Sequence, residues 1–342
     1  MADNNSPAMS VIVVASTDSE CLRQTLECLE AQSMAPEIEC ILVTRTGGGL
    51  DGAGNATRGL HSVRIIEQDA LDDAGGAKAS GVRAARAPLV AFVEDHSYPD
   101  TGWAEALLKA YERAPLAAVG PVVLNANPVT SASWGCFLVY YGMYMQSHHE
   151  EPVKHLPGNQ SSYRKAVLLK YGDRLPNMLQ AEIVLQAEMV ASGMRLWQEP
   201  TAKVYHLNYS RIAPAVREYY LASRVFAGER RRRWSLIRRA VYACGSPLLP
   251  FIRLKRILGQ AWRAGLAPQV AGGAVWPALL ILCAGAAGEF LGYWLGPAGA
   301  KAALMRFERA HASLFSRDDL EEVRRRGFPQ ANTVRGRGCS GE

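Results

Sequence analysis

Five short runs of β-branched and aliphatic residues, at 10–15 (SVIVVA), 38–43, 62–68, 89–93 and 117–123, punctuate the chain up to Asn125. No other feature constrains the fold as much. The most apolar of them, such as 10–15 and 89–93, lack the polar alternation of a half-exposed strand, as expected of strands buried on both faces of a parallel sheet. The segments between them have helical length and period. Asp18-Ser19 is a cap for a helix to about Gln32, with Leu22, Leu26 and Leu29 on one face. Gly76–Ala87 and Trp103–Ala114 read as two further helices. Strands alternating with helices predict an α/β fold with a mainly parallel sheet flanked by helices. Ligands on such sheets bind beyond the carboxyl ends of the strands. The 89–93 run ends directly in Glu94-Asp95-His96.

Beyond Asn125 the pattern becomes irregular. Trp134–Met145 is rich in aromatics and methionine. A loop, LPGNQSSYR, covers 156–164. Leu179–Gly193 reads as a helix ended by glycine, and Lys203–Leu207 as a short strand carrying His206. From Arg211 the chain becomes helical and arginine-rich, and here charge matters. The net charge of +6 over 342 residues is the sum of two unlike parts. Residues 1–210 hold 16 basic and 23 acidic side chains, and residues 211–342 hold 22 basic and 9 acidic. Between Arg211 and Arg263, thirteen basic and two acidic residues interleave with Tyr219, Tyr220, Phe226, Trp234 and Trp262. That is the pattern of interfacial helices on an anionic membrane surface.

Residues 274–295 are mostly apolar, with Trp276 and Trp294 near the ends, and approach the length of a spanning helix. Pro277, Glu289 and several glycines oppose a simple span, since a charge at depth is costly. Two readings stay open: a membrane-embedded or re-entrant segment, and a buried helix of a C-terminal subdomain. The basic residues on its N-terminal side favour the cytoplasmic face for the preceding domain. No nucleic-acid-binding module is recognisable, so no nucleic-acid partner is expected. The N-terminus lacks a basic segment followed by an apolar run, so no secretory signal is expected. The seven cysteines form no CxxC pair, which predicts reduced thiols rather than a disulfide framework or zinc site.

Gly47–Gly52 (GGGLDG) matches the GxGxxG pattern, yet the strand at Ser62 follows too soon for the helix that a dinucleotide site requires. Gly75–Gly81 lacks P-loop spacing. Arg230–Trp234 (RRRRW) fits a [QR]xxRW pattern, as almost any arginine run before a tryptophan would. Glu94-Asp95-His96 is the strongest local signal. A carboxylate and an imidazole two residues apart can reach one cation, and that donor pair suits Mn²⁺ or a similar divalent ion. Such an ion could bridge two phosphates of a nucleotide. Taken alone, the triplet also fits an acidic turn before Pro99.

Taken in order, the opening strand SVIVVAS, the small-residue helix GGAKASGVRAA, the strand with acids AFVEDHSYP, the loop LPGNQSSYR, the helix LQAEIVLQAEMVASGMRLW and the ending KVYH resemble the family 2 glycosyltransferases of GT-A fold over roughly residues 9–207. The resemblance implies a metal, Mn²⁺ or Mg²⁺, held at the family's Asp-x-Asp position. Here the matching residues are Glu94, Asp95 and His96, with histidine replacing the last acid. His206 matches a third ligand in related enzymes, and equally fits a satisfied, partly buried histidine. The implied metal ligands are therefore Glu94, His96 and His206. A Glu-Asp pair whose second acid is the general base corresponds to Ala181 and Glu182, which makes Glu182 the implied catalytic base. Glu188, six residues further along the helix, should not share its face. The implied nucleotide-sugar contacts are Ser16, Asp18, Asp73, Lys78, Glu94 and Asp95. The turn after the second strand, Thr44-Arg45-Thr46-Gly47, lacks the family's acid. Asn127, Trp134, Gly158 and Asn159 are the expected acceptor contacts.

The sequence thus predicts a GT-A domain over 1–210, a basic helical membrane-associating region over 211–330 and a disordered tail over 331–342. The implied activity is inverting transfer of a sugar from a nucleotide-diphospho-sugar to a hydroxyl of a saccharide or lipid-linked acceptor, such as a cell-envelope polysaccharide. The implied location is the cytoplasmic face of the membrane, peripheral or partly embedded. The substituted metal motif and the missing Glu-Asp pair leave an alternative, a catalytically weak saccharide-binding or scaffolding protein at the membrane.

Overall fold

The computed structural model describes residues 6–15, 19–47, 59–69, 74–146, 152–232 and 234–328. The chain forms two compact units. One comprises 1–124, 146–206 and 324–342, and the other 125–145 and 207–323. The expected division at 210 differs from this in two respects: the aromatic-rich stretch 125–145 groups with the later helices, and the chain from 324 onward groups with the first unit. The expected tail over 331–342, and most of the glycine loop, lie outside the described residues.

In chain order the first unit opens with β1 (Met9–Ala15), α1 (Glu20–Glu30), β2 (Ile38–Arg45), β3 (Ser62–Gln68), α2 (Ala74–Ala84), β4 (Leu89–Glu94), β5 (Ser97–Pro99), α3 (Trp103–Arg113) and β6 (Ala118–Asn125). After α4 (Ser131–Tyr141), which belongs to the second unit, come β7 (Ser162–Arg164), α5 (Lys165–Leu169), α6 (Leu175–Gln180), α7 (Glu182–Ala191) and β8 (Leu196–His206). The eight strands form one sheet in the order β3-β2-β1-β4-β7-β6-β8-β5. The pairs from β3 to β4 are parallel, as predicted. The other half is antiparallel: β7 runs against β4 and β6, and β5 against β8. β5 and β7 have three residues each, too few for a periodic pattern to register in sequence.

Side-chain alternation along β1 explains the layering. Met9, Val11, Val13 and Ala15 pack with α1 and α3, while Ile12 packs with α2, α6 and α7 on the other face. Ser19 caps α1 by accepting the Leu22 N–H at 3.1 Å. The small residues of α2 serve close approach. A Cβ on Gly81 would lie 2.7 Å from Ile12 Cγ2, and one on Gly75 would lie 2.1 Å from the Pro176 carbonyl oxygen and 2.6 Å from the Gln180 nitrogen. The Gly75 N–H also donates to Gln180 Oε1 at 2.8 Å. Gly75→Ala is therefore expected to destabilise by roughly 1–3 kcal/mol through overpacking, despite the better helix propensity of alanine. A lowered melting temperature in thermal unfolding checks this; an unchanged or raised one would mean that α6 yields freely.

Cys21, Cys28, Cys40 and Cys136 are buried and form no disulfide, as expected of reduced core thiols. Burial pushes the Cys21, Cys28 and Cys40 thiols up to about 12, so they remain protonated.

The second unit is helical. Besides α4 it contains α8 (Ile212–Arg231), α9 (Leu236–Gly245), α10 (Leu249–Arg263), α11 (Ala267–Gln269), α12 (Val275–Leu295) and α13 (Ala300–Arg309), with α14 (Arg317–Arg326) near its end. α12 lies against α8 along Gly285, Gly288 and Gly292, where added Cβ atoms would meet Tyr219 at 2.5 Å, the Tyr220 carbonyl at 2.3 Å and the Arg224 carbonyl at 2.6 Å. Its opposite face, with Trp276, Leu280, Cys283, Phe290 and Trp294, is exposed. Residues 267–295 are long and apolar enough to cross a bilayer, with a mean hydropathy of 1.9 in the most apolar window. Glu289 is buried and bonded to Arg253 at 2.6 Å, which gives the one acid of α12 a partner within the unit.

Candidate active site

β4 ends at Glu94, and two residues later the chain turns into β5. β5 pairs with β8 so that Ser97 stands opposite His206, the last residue of β8. This register brings His96 beside His206. Their Nε2 atoms are 3.1 Å apart, and His206 Nε2 lies 3.3 Å from Glu94 Oε2. One donor atom from each of Glu94, His96 and His206 falls within 4.8 Å of the others. Asp95 lies 2.8 Å from His96 Nδ1. With Nδ1–H donated to Asp95, Nε2 presents its lone pair to the centre of the cluster, the arrangement that orients metal-bound histidines. Two ligands at right angles on a cation with bonds of about 2.1 Å are about 3.0 Å apart, close to the two edges of 3.1 and 3.3 Å that meet at His206. The donor set therefore fits one divalent cation. Asp95, an expected nucleotide-sugar contact, places Oδ1 on His96.

A second register completes the site. β7 runs antiparallel to β4 with Ala91 opposite Ser162, so the residues before Ser162 pass the end of β4. Asn159 Nδ2 donates to Glu94 Oε1 at 2.8 Å, and Gln160 Nε2 donates to Glu94 Oε2 at 2.7 Å and to Ser97 Oγ at 2.6 Å. Asn159 sits in the left-handed region (φ 64°), which asparagine tolerates better than most residues. There its own N–H reaches Glu182 Oε1 at 3.1 Å.

Glu182 opens α7 and is 7% exposed. Its Oε1 also accepts from Lys78 Nζ at 2.6 Å, and its Oε2 accepts from the Tyr163 hydroxyl at 3.0 Å. Burial, and then the Glu182 charge, push the Tyr163 phenol well above its usual range, so it remains a donor. Gln186 Nε2 donates to the same phenol at 3.0 Å. A carboxylate offers about four lone-pair sites, and these donors use three of them. Lys78 comes from α2, is buried, lies 5.3 Å from the Phe92 ring centroid and also hydrogen-bonds Asn159 Oδ1. Gly158 adjoins Glu182, and even a Cβ there would stay 3.9 Å away. Glu188 points elsewhere and pairs with Arg174 at 2.7 Å.

The structure thus brings together Lys78, Glu94, Asp95, His96, Gly158, Asn159, Glu182 and His206. Gln160, Tyr163 and Gln186 join them without having been foreseen. Ser16, Asp18 and Asp73 lie outside the described residues. Two expected acceptor contacts belong to the second unit. Asn127 is 2% exposed, and its amide donates to the Asn208 carbonyl and Asp319 and accepts from Ser133 and the Asn208 N–H. All four of its hydrogen-bonding positions are used within that unit. This corrects the expectation of a ligand contact: Asn127 holds the unit together. Trp134 is half-buried, donates to the Pro128 carbonyl at 2.9 Å and packs edge-on against Phe137. Trp234 of the arginine run stacks on Tyr293 at 5.4 Å, with Arg230 and Arg238 over its ring at 4.6 and 4.3 Å.

Residues 10–172, a little under half of the chain, match the model of the family described as glycosyl transferase family 2, over a mixed α/β sheet flanked by helices. Among solved structures, a crystal structure of S. aureus TarS is similar at 14% identity, with a TM-score of 0.44, over 64% of this chain and 39% of that one. A crystal structure of GalNAc-T7 with UDP, GalNAc and Mn2+ is similar at 14% identity, with a TM-score of 0.43, over 60% of this chain and 44% of that one. The chain therefore spans less than half the length of either. No curated protein matches it significantly.

Proposed function

We propose that the protein is a metal-dependent, inverting glycosyltransferase that moves a sugar from a nucleotide-diphospho-sugar to a hydroxyl of a saccharide or lipid-linked acceptor, as in the building of a cell-envelope polysaccharide. One observation carries this reading: a three-donor cation cluster and a buried, hydrogen-bonded glutamate are joined through a single residue, Asn159. Glu94, His96 and His206 would hold Mn²⁺ or Mg²⁺, which when bound neutralises the charge developing on the departing diphosphate. Glu182 takes the proton of the acceptor hydroxyl as that oxygen attacks the anomeric carbon from the face opposite the leaving group. Lys78 and Asn159 fix the carboxylate during the attack, and Tyr163 keeps its second oxygen in place.

The second unit supports a place at the cytoplasmic face of the membrane, lying on an anionic leaflet. Exposed Leu236, Ile237, Phe251, Ile252, Trp262 and Trp276 accompany its excess of arginine, as in helices that lie in a bilayer interface. The test is thermal unfolding of the purified protein with a panel of nucleotide-diphospho-sugars, with and without Mn²⁺, followed by donor hydrolysis. Stabilisation by one donor that requires the cation, together with turnover, is expected, because a bound ligand stabilises the fold by mass action. Cation-dependent stabilisation without turnover on any donor or acceptor would favour the saccharide-binding or scaffolding alternative.

A further inference from the structure

The second unit contains a cavity that no step of sugar transfer uses. It has a volume of about 240 Å³. Its polar wall is formed by Tyr219, Arg253, Arg256 and Gln260, and its apolar wall includes Ile257 and Leu282. Arg253 is largely shielded, with 27% of its side chain exposed, and is bonded to Glu289, itself 4% exposed. Arg256 lies about one turn further along α10, is exposed, and has no ion-pair partner among the described residues. Two guanidinium charges against one carboxylate leave one positive charge at the cavity.

A phosphodiester carries one negative charge, and its oxygens match the guanidinium fork. The volume is below the roughly 300–1,000 Å³ of pockets that enclose a drug-sized ligand, so it suits a head group and the start of a chain. α10 and α12 expose Phe251, Ile252 and Leu280, and Ile252 precedes Arg256 by four residues, on the same face of the helix. A free inorganic anion would satisfy the arginines and leave these side chains in water. An amphiphile satisfies both.

We propose that this cavity binds the head group of an anionic phospholipid from the leaflet on which the unit lies, with the phosphate between Arg253 and Arg256 and the upper acyl chain against Ile257 and Leu282. The site rests on the membrane-surface reading above and adds a stoichiometric lipid to it. Arg256 is the informative position, because replacing Arg253 would leave Glu289 buried without its partner.

The full-length protein is floated with vesicles of phosphatidylcholine, with and without phosphatidylglycerol. Phosphatidylglycerol retained after detergent extraction is counted by native mass spectrometry. Wild type is expected to prefer the mixed vesicles and to retain one phosphatidylglycerol per chain. Arg256→Gln, with an unchanged thermal melt, is expected to retain none and to lose about tenfold in partitioning. Arg263→Gln, exposed on the same helix outside the cavity, should lose no more than about fivefold, the share of a diffuse surface charge. Equal losses in the two variants, retention of lipid by Arg256→Gln, or displacement of the lipid by inorganic phosphate would each overturn the site. Wild type that floats with mixed vesicles but retains no lipid overturns the site and leaves the membrane reading standing. Wild type that floats with neither kind of vesicle overturns both.

Discussion

Glu182→Gln is expected to reduce kcat by about 10²–10⁴-fold, the range for loss of a positioned general base, and to leave the apparent affinity for the donor nearly unchanged. The amide keeps the shape of the side chain but cannot take the acceptor proton. The substitution has a second cost. Lys78 loses the carboxylate that its ammonium meets at 2.6 Å in a buried setting, and removing one partner of such a pair costs about 3–5 kcal/mol. The variant should therefore melt lower, and its kinetics belong well below that melt. Tyr163→Phe separates the two effects. It removes one donor to Oε2 but leaves the base and the lysine pair in place, so its loss in kcat should be far smaller. A Glu182→Gln enzyme that retains more than about a tenth of wild-type kcat would remove Glu182 from the role of base.

The second large effect concerns the cation. His96→Ala deletes one of three clustered donors and should abolish both the Mn²⁺-dependent rise in melting temperature and the Mn²⁺-dependent part of turnover. Asp95→Asn leaves the donors in place but weakens the hold on His96 Nδ1. It should cost about 10–100-fold in cation affinity, as measured for partners of metal-bound histidines, and should be rescued by excess Mn²⁺, whereas His96→Ala should not be. Turnover that survives chelation in the wild type would dismiss the cation from the mechanism, whatever the variants do.

The parts of the site legible in the sequence were those set by a strand end. An apolar run that stops at Glu94-Asp95-His96 announces a functional turn, because strand ends in α/β sheets are where ligands bind. Glu182 and His206 were reached only through resemblance to a family, since a lone glutamate and a lone histidine have no signature of their own. The contacts of Asn159, and all of Gln160 and Tyr163, were hidden because antiparallel pairing creates them. The two strands responsible, Ser97–Pro99 and Ser162–Arg164, are too short to show a period. Asn127 misled for a related reason. Its partners Asn208 and Asp319 lie 81 and 192 residues away, and nothing local in the sequence says that its amide is already occupied.

Asn159 acts as a caliper. Its backbone N–H rests on Glu182 and its side-chain amide on Glu94, so one residue touches both carboxylates from the left-handed conformation. The distance between β4 and α7 at the site is thus read by a single side chain with two torsions. A change in that distance has to turn those torsions or break one of the two hydrogen bonds, so a shift at one carboxylate is felt at the other.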